Sequence, residues 1–201
     1  MTSLRHNGSP EDSSPKDGYL DAARDCILDL GWRRTTLTEV ARRAGVSRMT
    51  IYRAWSDMQQ LLGDLMTREW AGVVAATVAE EDPAASVVDR LVGDVVGTVR
   101  TLRDNELFLR IVELDPELLL PYLLSRRGRS QDAILTMVEA AVRSGQAAGE
   151  VRAGNPVAIA RGLVLAAHGF VLSTHTMVDD LASEADLDAE LTSLLTRALR
   201  P

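Results

Sequence analysis

The sequence predicts an all-α protein, and three observations carry that prediction. Apolar residues recur at three- and four-residue spacings in one segment after another, while no window sustains the alternation of a strand. Capping signals stand before several of these segments: Ser14 with Pro15 and Asp17, Thr36 with Glu39, Ser56 with Gln59. Hydrophobic residues make up 46% of the 201 but aromatics only 4%, so the core has to be built from Leu, Val and Ala, which suit helices. This length fits one large or two small domains.

Taken in order, residues 1–13 are polar, with Gly, Pro and Ser, and read as a disordered tail. Helix 1 follows from Ser14, with Leu20, Ala23, Ile27 and Leu30 on its apolar face, Cys26 beside them as a small core thiol, and Gly31 at its end. In the next helix Leu37, Val40, Ala41 and Ala44 fall at i, i+3, i+4 and i+7. Gly45 can take the left-handed conformation that stops it, and Ser47 caps a third helix over residues 48–55. Two short helices joined so tightly cross at a large angle: Ala41 permits close approach, and Ile51 and Trp55 fill the seam. Helix 4 starts behind Ser56 and runs to about residue 79. Asp82-Pro83 marks a break before a fifth helix over about 84–103, where Gly93 and Gly97, four apart, let another helix approach. Shorter helices end near 114 and cover 116–124. A helix over about 131–147 turns Ile134, Met137, Val138, Ala141 and Val142 inward, and Gly149 and Gly154 bracket the next turn. Residues 156–176 are apolar nearly all round, which predicts burial on more than one side. The last helix, about 186–199, carries Asp186, Asp188 and Glu190 at its positive end and Arg197 and Arg200 at its negative end.

Residues 36–55 have the form of a helix-turn-helix DNA reader. Residues 33–55 hold six Arg against one Glu, while the whole chain is −7. Basic charge gathered on one segment of an acidic protein is either a solvated face or a footprint for phosphate; caps, glycine turn, seam and charge together favour the footprint. The Thr36 and Tyr52 hydroxyls suit phosphate contacts that fix register. Ser47 heads the second helix, and Arg48 and Thr50 lie near its beginning, where base edges are reached. Arg53 suits either purpose. Met49 either covers the helix surface or presses against a thymine methyl. Arg5 in the tail is either inert or touches a minor groove.

The stretch 20–62 resembles the DNA-binding domain of the TetR (tetracycline repressor) family, through Leu20-Asp-Ala-Ala, Gly31-Trp, Thr35-Thr-Leu-Thr-Glu-Val-Ala, Arg43-Ala-Gly-Val-Ser and Thr50-Ile-Tyr-Arg-Ala-Trp. A weaker likeness continues through Asp115-Pro-Glu-Leu-Leu-Leu-Pro-Tyr122, Gly145-Gln-Ala-Ala-Gly-Glu-Val-Arg152 and the apolar helix at 156–175. The resemblance implies an all-helical dimer: a helix-turn-helix DNA-binding domain at 14–60, and a ligand-binding and dimerisation domain at 61–201. Two positions depart from it. The family usually has His or Tyr at Ala54 and Lys at Met58, both phosphate contacts, which implies fewer backbone contacts here or compensation from Arg33, Arg34 and the tail. Met49 stands where the family often has Gly.

For the sensor domain the candidate lining residues are Phe108, Arg110, Tyr122, Met137, His168 and His175, around a hydrophobic small molecule. Gly162, Ala166, Gly169 and Ser173 form a stripe of small residues; with Phe170, Leu191 and Leu194 they are the candidate interface of a homodimer built as a four-helix pairing. No nucleophile–base or paired-carboxylate arrangement supports catalysis. His6, His168 and His175 make no metal set, and neither metal nor cofactor is expected. A single Cys excludes a disulfide framework, the polar, acidic start shows no secretory signal, and the apolar run 163–172 is too short to span a bilayer, so a cytoplasmic protein is expected. The leading expectation is a ligand-responsive repressor that binds palindromic double-stranded DNA. The alternatives are a helical small-molecule-binding protein with weakened DNA binding, and an activator or corepressor-dependent regulator.

Overall fold

The computed structural model describes residues 14–79 and 85–201. The tail 1–13 with Arg5 and His6, and the break at Asp82-Pro83, lie outside the described residues. Every regular element described is helical: α1 Pro15–Leu30, α2 Leu37–Arg43, α3 Arg48–Ala54, α4 Met58–Ala79, α5 Val87–Arg103, α6 Glu106–Leu114, α7 Leu120–Leu124, α8 Arg129–Ala147, α9 Pro156–Ser173 and α10 Glu184–Leu199, with 3-10 turns at Trp32–Arg34, Pro116–Leu118 and Thr174–Thr176. The chain divides into two compact units, the first ending at Leu65 and the second beginning at Met66.

The first unit closes around Leu20, Ala23, Cys26, Ile27, Leu37, Val40, Ala41, Ile51, Trp55, Leu61 and Leu65, all buried. Burial pushes the Cys26 thiol above its ordinary range, as fits a packing residue. Trp55 is its keystone. The ring meets Tyr19 edge-on at 6.4 Å, its Nε1 donates to Asp64 at 2.9 Å, and the Lys16 ammonium lies 5.2 Å from it while pairing with Asp64 at 2.6 Å. Three aromatic and charged contacts thus pin the chain immediately after α3.

Two capping expectations are corrected. Thr36 does accept from the Glu39 amide at 3.2 Å, but the Glu39 carboxylate does not return to Thr36: both its oxygens bond the Arg42 guanidinium, since a charge-assisted, two-pronged bond is stronger than one to an amide. Before α4, the cap is Asp57 rather than Ser56. Asp57 accepts from the Gln60 amide at 2.8 Å, and Gln60, not Gln59, reaches back to the Ser56 amide. The Gln60 amide and then the Ser56 hydroxyl hold the Asp57 carboxyl below its usual range.

In the second unit α5 is central, packing on α8, α9 and α10. Val88, Leu91, Val92, Val95, Val96 and Val99 of α5 share a core with Val142, Val151, Ile159, Leu163, Leu191, Leu195 and Leu199. Of the two α5 glycines, Gly97 is the one a neighbour approaches: a Cβ there would lie 2.7 Å from the Thr77 methyl, whereas at Gly93 it would meet nothing. Asp188 of α10 is buried and takes Arg100 Nε at 2.6 Å and Arg103 Nη2 at 2.8 Å, while Glu184 lies 3.0 Å from Arg103. This ion cluster bolts α10 to α5.

Helix α9 departs from expectation. Only Ile159, Ala160 and Leu163 are buried in it, and the face through Gly162, Leu165 (69% exposed) and Gly169 is uncovered. With Arg161 its single charge, the stretch Pro156–Thr176 is long and apolar enough to cross a membrane. That corrects the expectation drawn from 163–172 alone, which stopped short of the apolar residues on either side.

Candidate nucleic-acid interface

The turn that presents α3 follows from two residues. Gly45 has φ +67°, the left-handed region that L side chains avoid, and Ser47 then caps α3 by accepting from the Thr50 amide at 3.2 Å. Ile51 is fully buried and Trp55 nearly so, which fixes the rotation of the helix. The opposite face is therefore open: Arg48, Met49, Tyr52 and Arg53 are all exposed, Met49 by 63% and Tyr52 by 49%.

The seven residues expected at this site do not stand alike. Thr36 is exposed beside α3's neighbour α2, with its hydroxyl oxygen on the Glu39 amide and its proton left to donate. Ser47, exposed, and Thr50, half-buried, meet at the cap with their hydroxyls 2.9 Å apart, the geometry of a helix start. Arg48, Met49, Tyr52 and Arg53 share the outward face.

The arginines also separate. Arg42 is neutralised by Glu39 and Arg43 by Asp29 of α1; these partners hold both guanidinium groups above their ordinary range. Arg34 donates to the Leu30 carbonyl at 2.8 Å. Arg48 and Arg53 make no ion pair among the described residues. Two of the arginines counted along the segment, Arg48 and Arg53, thus present their charge on the exposed face of α3.

The candidate ligand residues are spread over four helices and the 3-10 turn that holds His175. Phe108 packs edge-on against Trp70, 5.7 Å between centroids, a partner sequence reasoning missed. Arg110 is partly buried, and its Nε has no hydrogen-bond partner among the described residues. Tyr122 lies under the Arg126 guanidinium at 5.0 Å. His168 is half-buried, and burial lowers its basicity; His175 is exposed. Met137 is corrected: it is 52% exposed, because α8 turns Val142 and Gly145 to the core and Met137 falls on the other side. A described cavity of about 480 Å³ lies elsewhere, at the turn after α8, lined by residues such as Gln146, Arg152 and Pro201.

Among the interface candidates, Gly162 and Gly169 are exposed, and Leu194 is half exposed. Ala166 and Phe170 pack partly on the core. Leu191 is corrected: it is fully buried within the chain, since α10 turns Leu191, Leu195 and Leu199 inward at i, i+4 and i+8. Leu165, which sequence reasoning passed over, is the most exposed large residue of the α9 face; its spacing of three and four from Gly162 and Gly169 was the available signal.

Residues 20–65 match the family model described as bacterial regulatory proteins, tetR family. An HTH-type transcriptional regulator of Mycobacterium tuberculosis, itself uncharacterised, is 33% identical over 176 residues, 88% of this chain and 89% of that protein. Among solved structures, the regulator FadR of Bacillus subtilis in complex with stearoyl-CoA has a TM-score of 0.64 at 16% identity, covering 90% of this chain and 98% of that one. A SmeT–triclosan complex has a TM-score of 0.61 at 22% identity, covering 94% and 93%. With the helix-turn-helix already in place on α2 and α3, the chain belongs to the tetR family of bacterial regulatory proteins and is a transcriptional regulator.

Proposed function

We propose that this protein is a ligand-responsive repressor that binds a palindromic operator as a homodimer in the cytoplasm. The observation that carries the reading is the open face of α3, where Arg48 and Arg53, without ion partners among the described residues, stand beside Tyr52 and Met49. The reader occupies 14–60, with Thr36 and Tyr52 on phosphate and Arg48 and Arg53 on base edges or phosphate. The domain over 61–201 dimerises and binds the effector. The uncovered apolar face of α9 and the exposed Leu194 of α10 support dimerisation through Gly162, Leu165, Gly169 and Leu194, because so much exposed apolar surface is costly in water. A hydrophobic effector is supported by the scarcity of charge in the apolar helices and by the stearoyl-CoA and triclosan bound in proteins of the same fold. Arg110, with its unpartnered Nε, offers one donor to such a molecule. Helix-turn-helix dimers read half-sites about 34–36 Å apart, so a small change in the spacing of the two α3 helices on effector binding releases DNA.

The test is selection of bound sequences from a random duplex library with the purified protein, followed by sedimentation of the complex. One palindromic motif, bound by two chains, is expected. A folded protein that enriches no sequence would favour instead a small-molecule-binding protein with weakened DNA binding, the direction in which Ala54 and Met58 point, or a requirement for a corepressor.

A further inference from the structure

We propose that Met49 reads a thymine 5-methyl group, so that each operator half-site carries a thymine at the position facing it. The inference rests on the reading of α3 as the DNA-recognition helix. At about 100° per residue, Arg48, Tyr52, Met49 and Arg53 follow one another around roughly 140° of α3, and all four are exposed. Met49 and Tyr52 fill the middle of this face, and the two arginines flank it.

Folding does not need Met49 there. The core side of α3 is filled by Ile51, and Met49 is 63% exposed. The neighbouring hydroxyl, Thr50, is half-buried and shares a hydrogen bond with Ser47. The centre of the reading face is therefore a flexible thioether of weak hydrogen-bonding capacity next to a phenol. In the major groove the thymine C5-methyl is the one apolar group displayed; the purine N7 and O6 acceptors and the N4 and N6 amino donors all need polar partners. Set against the Met49 side chain, those groups lose water and gain no hydrogen bond, whereas the methyl loses water to its advantage. Met49 thus selects thymine both by contact and by exclusion, while Arg48 and Arg53 are left for guanine edges or phosphates on either side.

The test uses the full-length protein and the sequence selected from the random library. Each thymine of the half-site is replaced in turn by deoxyuridine, which differs only by the missing methyl. Wild type and Met49→Ala are then compared by titration. One position per half-site is expected to weaken wild-type binding about fourfold, the factor for burying one methyl-sized group, while Met49→Ala binds the thymine and uracil duplexes equally. A wild-type protein indifferent to uracil everywhere, or a Met49→Ala protein with the same uracil penalty at the same position, overturns the inference and leaves the DNA-binding reading standing. Failure to select any sequence overturns that reading itself, and the inference with it. Because Met49 is on the surface, the alanine variant keeps the core intact.

Discussion

Among the described residues Tyr52 and Arg48 make no hydrogen bond or ion pair from their side chains, so their replacement is expected to act on DNA alone. Tyr52→Phe removes one hydroxyl donor to a charged phosphate and should weaken operator binding roughly tenfold per half-site. Arg48→Ala should do at least as much, and both variants should sediment as dimers; unchanged affinity in both would remove α3 from the interface. The arginines make a sharper contrast. Arg53→Ala should reduce the salt dependence of binding by up to about 0.9 per half-site if that side chain meets a phosphate, while Arg42→Ala should change it little, because Arg42 is already neutralised by Glu39. Salt titration of both variants decides it. His168 gives a residue-scale prediction on stability. Burial holds it below its ordinary 6.5, so the folded chain keeps it neutral. As pH falls through that value the unfolded chain takes up the proton first, so this contribution is complete above it and declines below it. His168→Gln should flatten the dependence of the urea midpoint between about pH 7 and 5.

At the scale of elements, joints matter more than helix interiors. Gly45→Ala adds a Cβ that meets nothing within 4 Å, so its whole cost is the left-handed backbone, about 1–2 kcal/mol. The same change disturbs the turn that presents α3. Thermal unfolding and operator titration should both register it, whereas Gly93→Ala, in open space within α5, should be neutral or slightly stabilising. The clamp of α10 on α5 invites a second contrast. Asp188→Ala leaves the enclosed Arg103 with the partly exposed Glu184 and the Thr174 hydroxyl and should destabilise by about 3 kcal/mol. Arg100→Ala, at the solvent-facing side of the same cluster, should cost under about 1 kcal/mol. Equal losses in chemical denaturation would show that the cluster is no more than a surface pair.

At the scale of the whole molecule, the uncovered apolar face of α9 is a demand the single chain leaves unmet. Leu165→Glu places a charge in the middle of it and Leu194→Glu another on α10, both exposed in the single chain. Neither should unfold the protomer, and together they should convert a dimer to monomers in sedimentation while reducing operator affinity by orders of magnitude, since one reader alone holds half a site. A double variant that remains dimeric would place the interface elsewhere.

The sequence by itself determined the helical order, the Gly45 turn, the Ser47 cap and an outward set in which Arg48, Met49, Tyr52 and Arg53 are exposed while Thr50, also read as outward, is half-buried on the cap. Each of these depends on residues within about four positions, where spacing and capping chemistry act. Even there, competition among near neighbours went unread: Glu39 chose Arg42 over Thr36, and Asp57 took the cap from Ser56. Tertiary structure alone decided which arginines stay free, because Asp29 reaches Arg43 from fourteen residues away. It also decided that Leu191 faces in and Leu194 out, that Met137 leaves the core, and that α9 is covered on one side. A helix that is apolar all round has no preferred inward face in its pattern; the packing of α5 and α8 against it chooses one, and that packing joins residues far apart in the sequence.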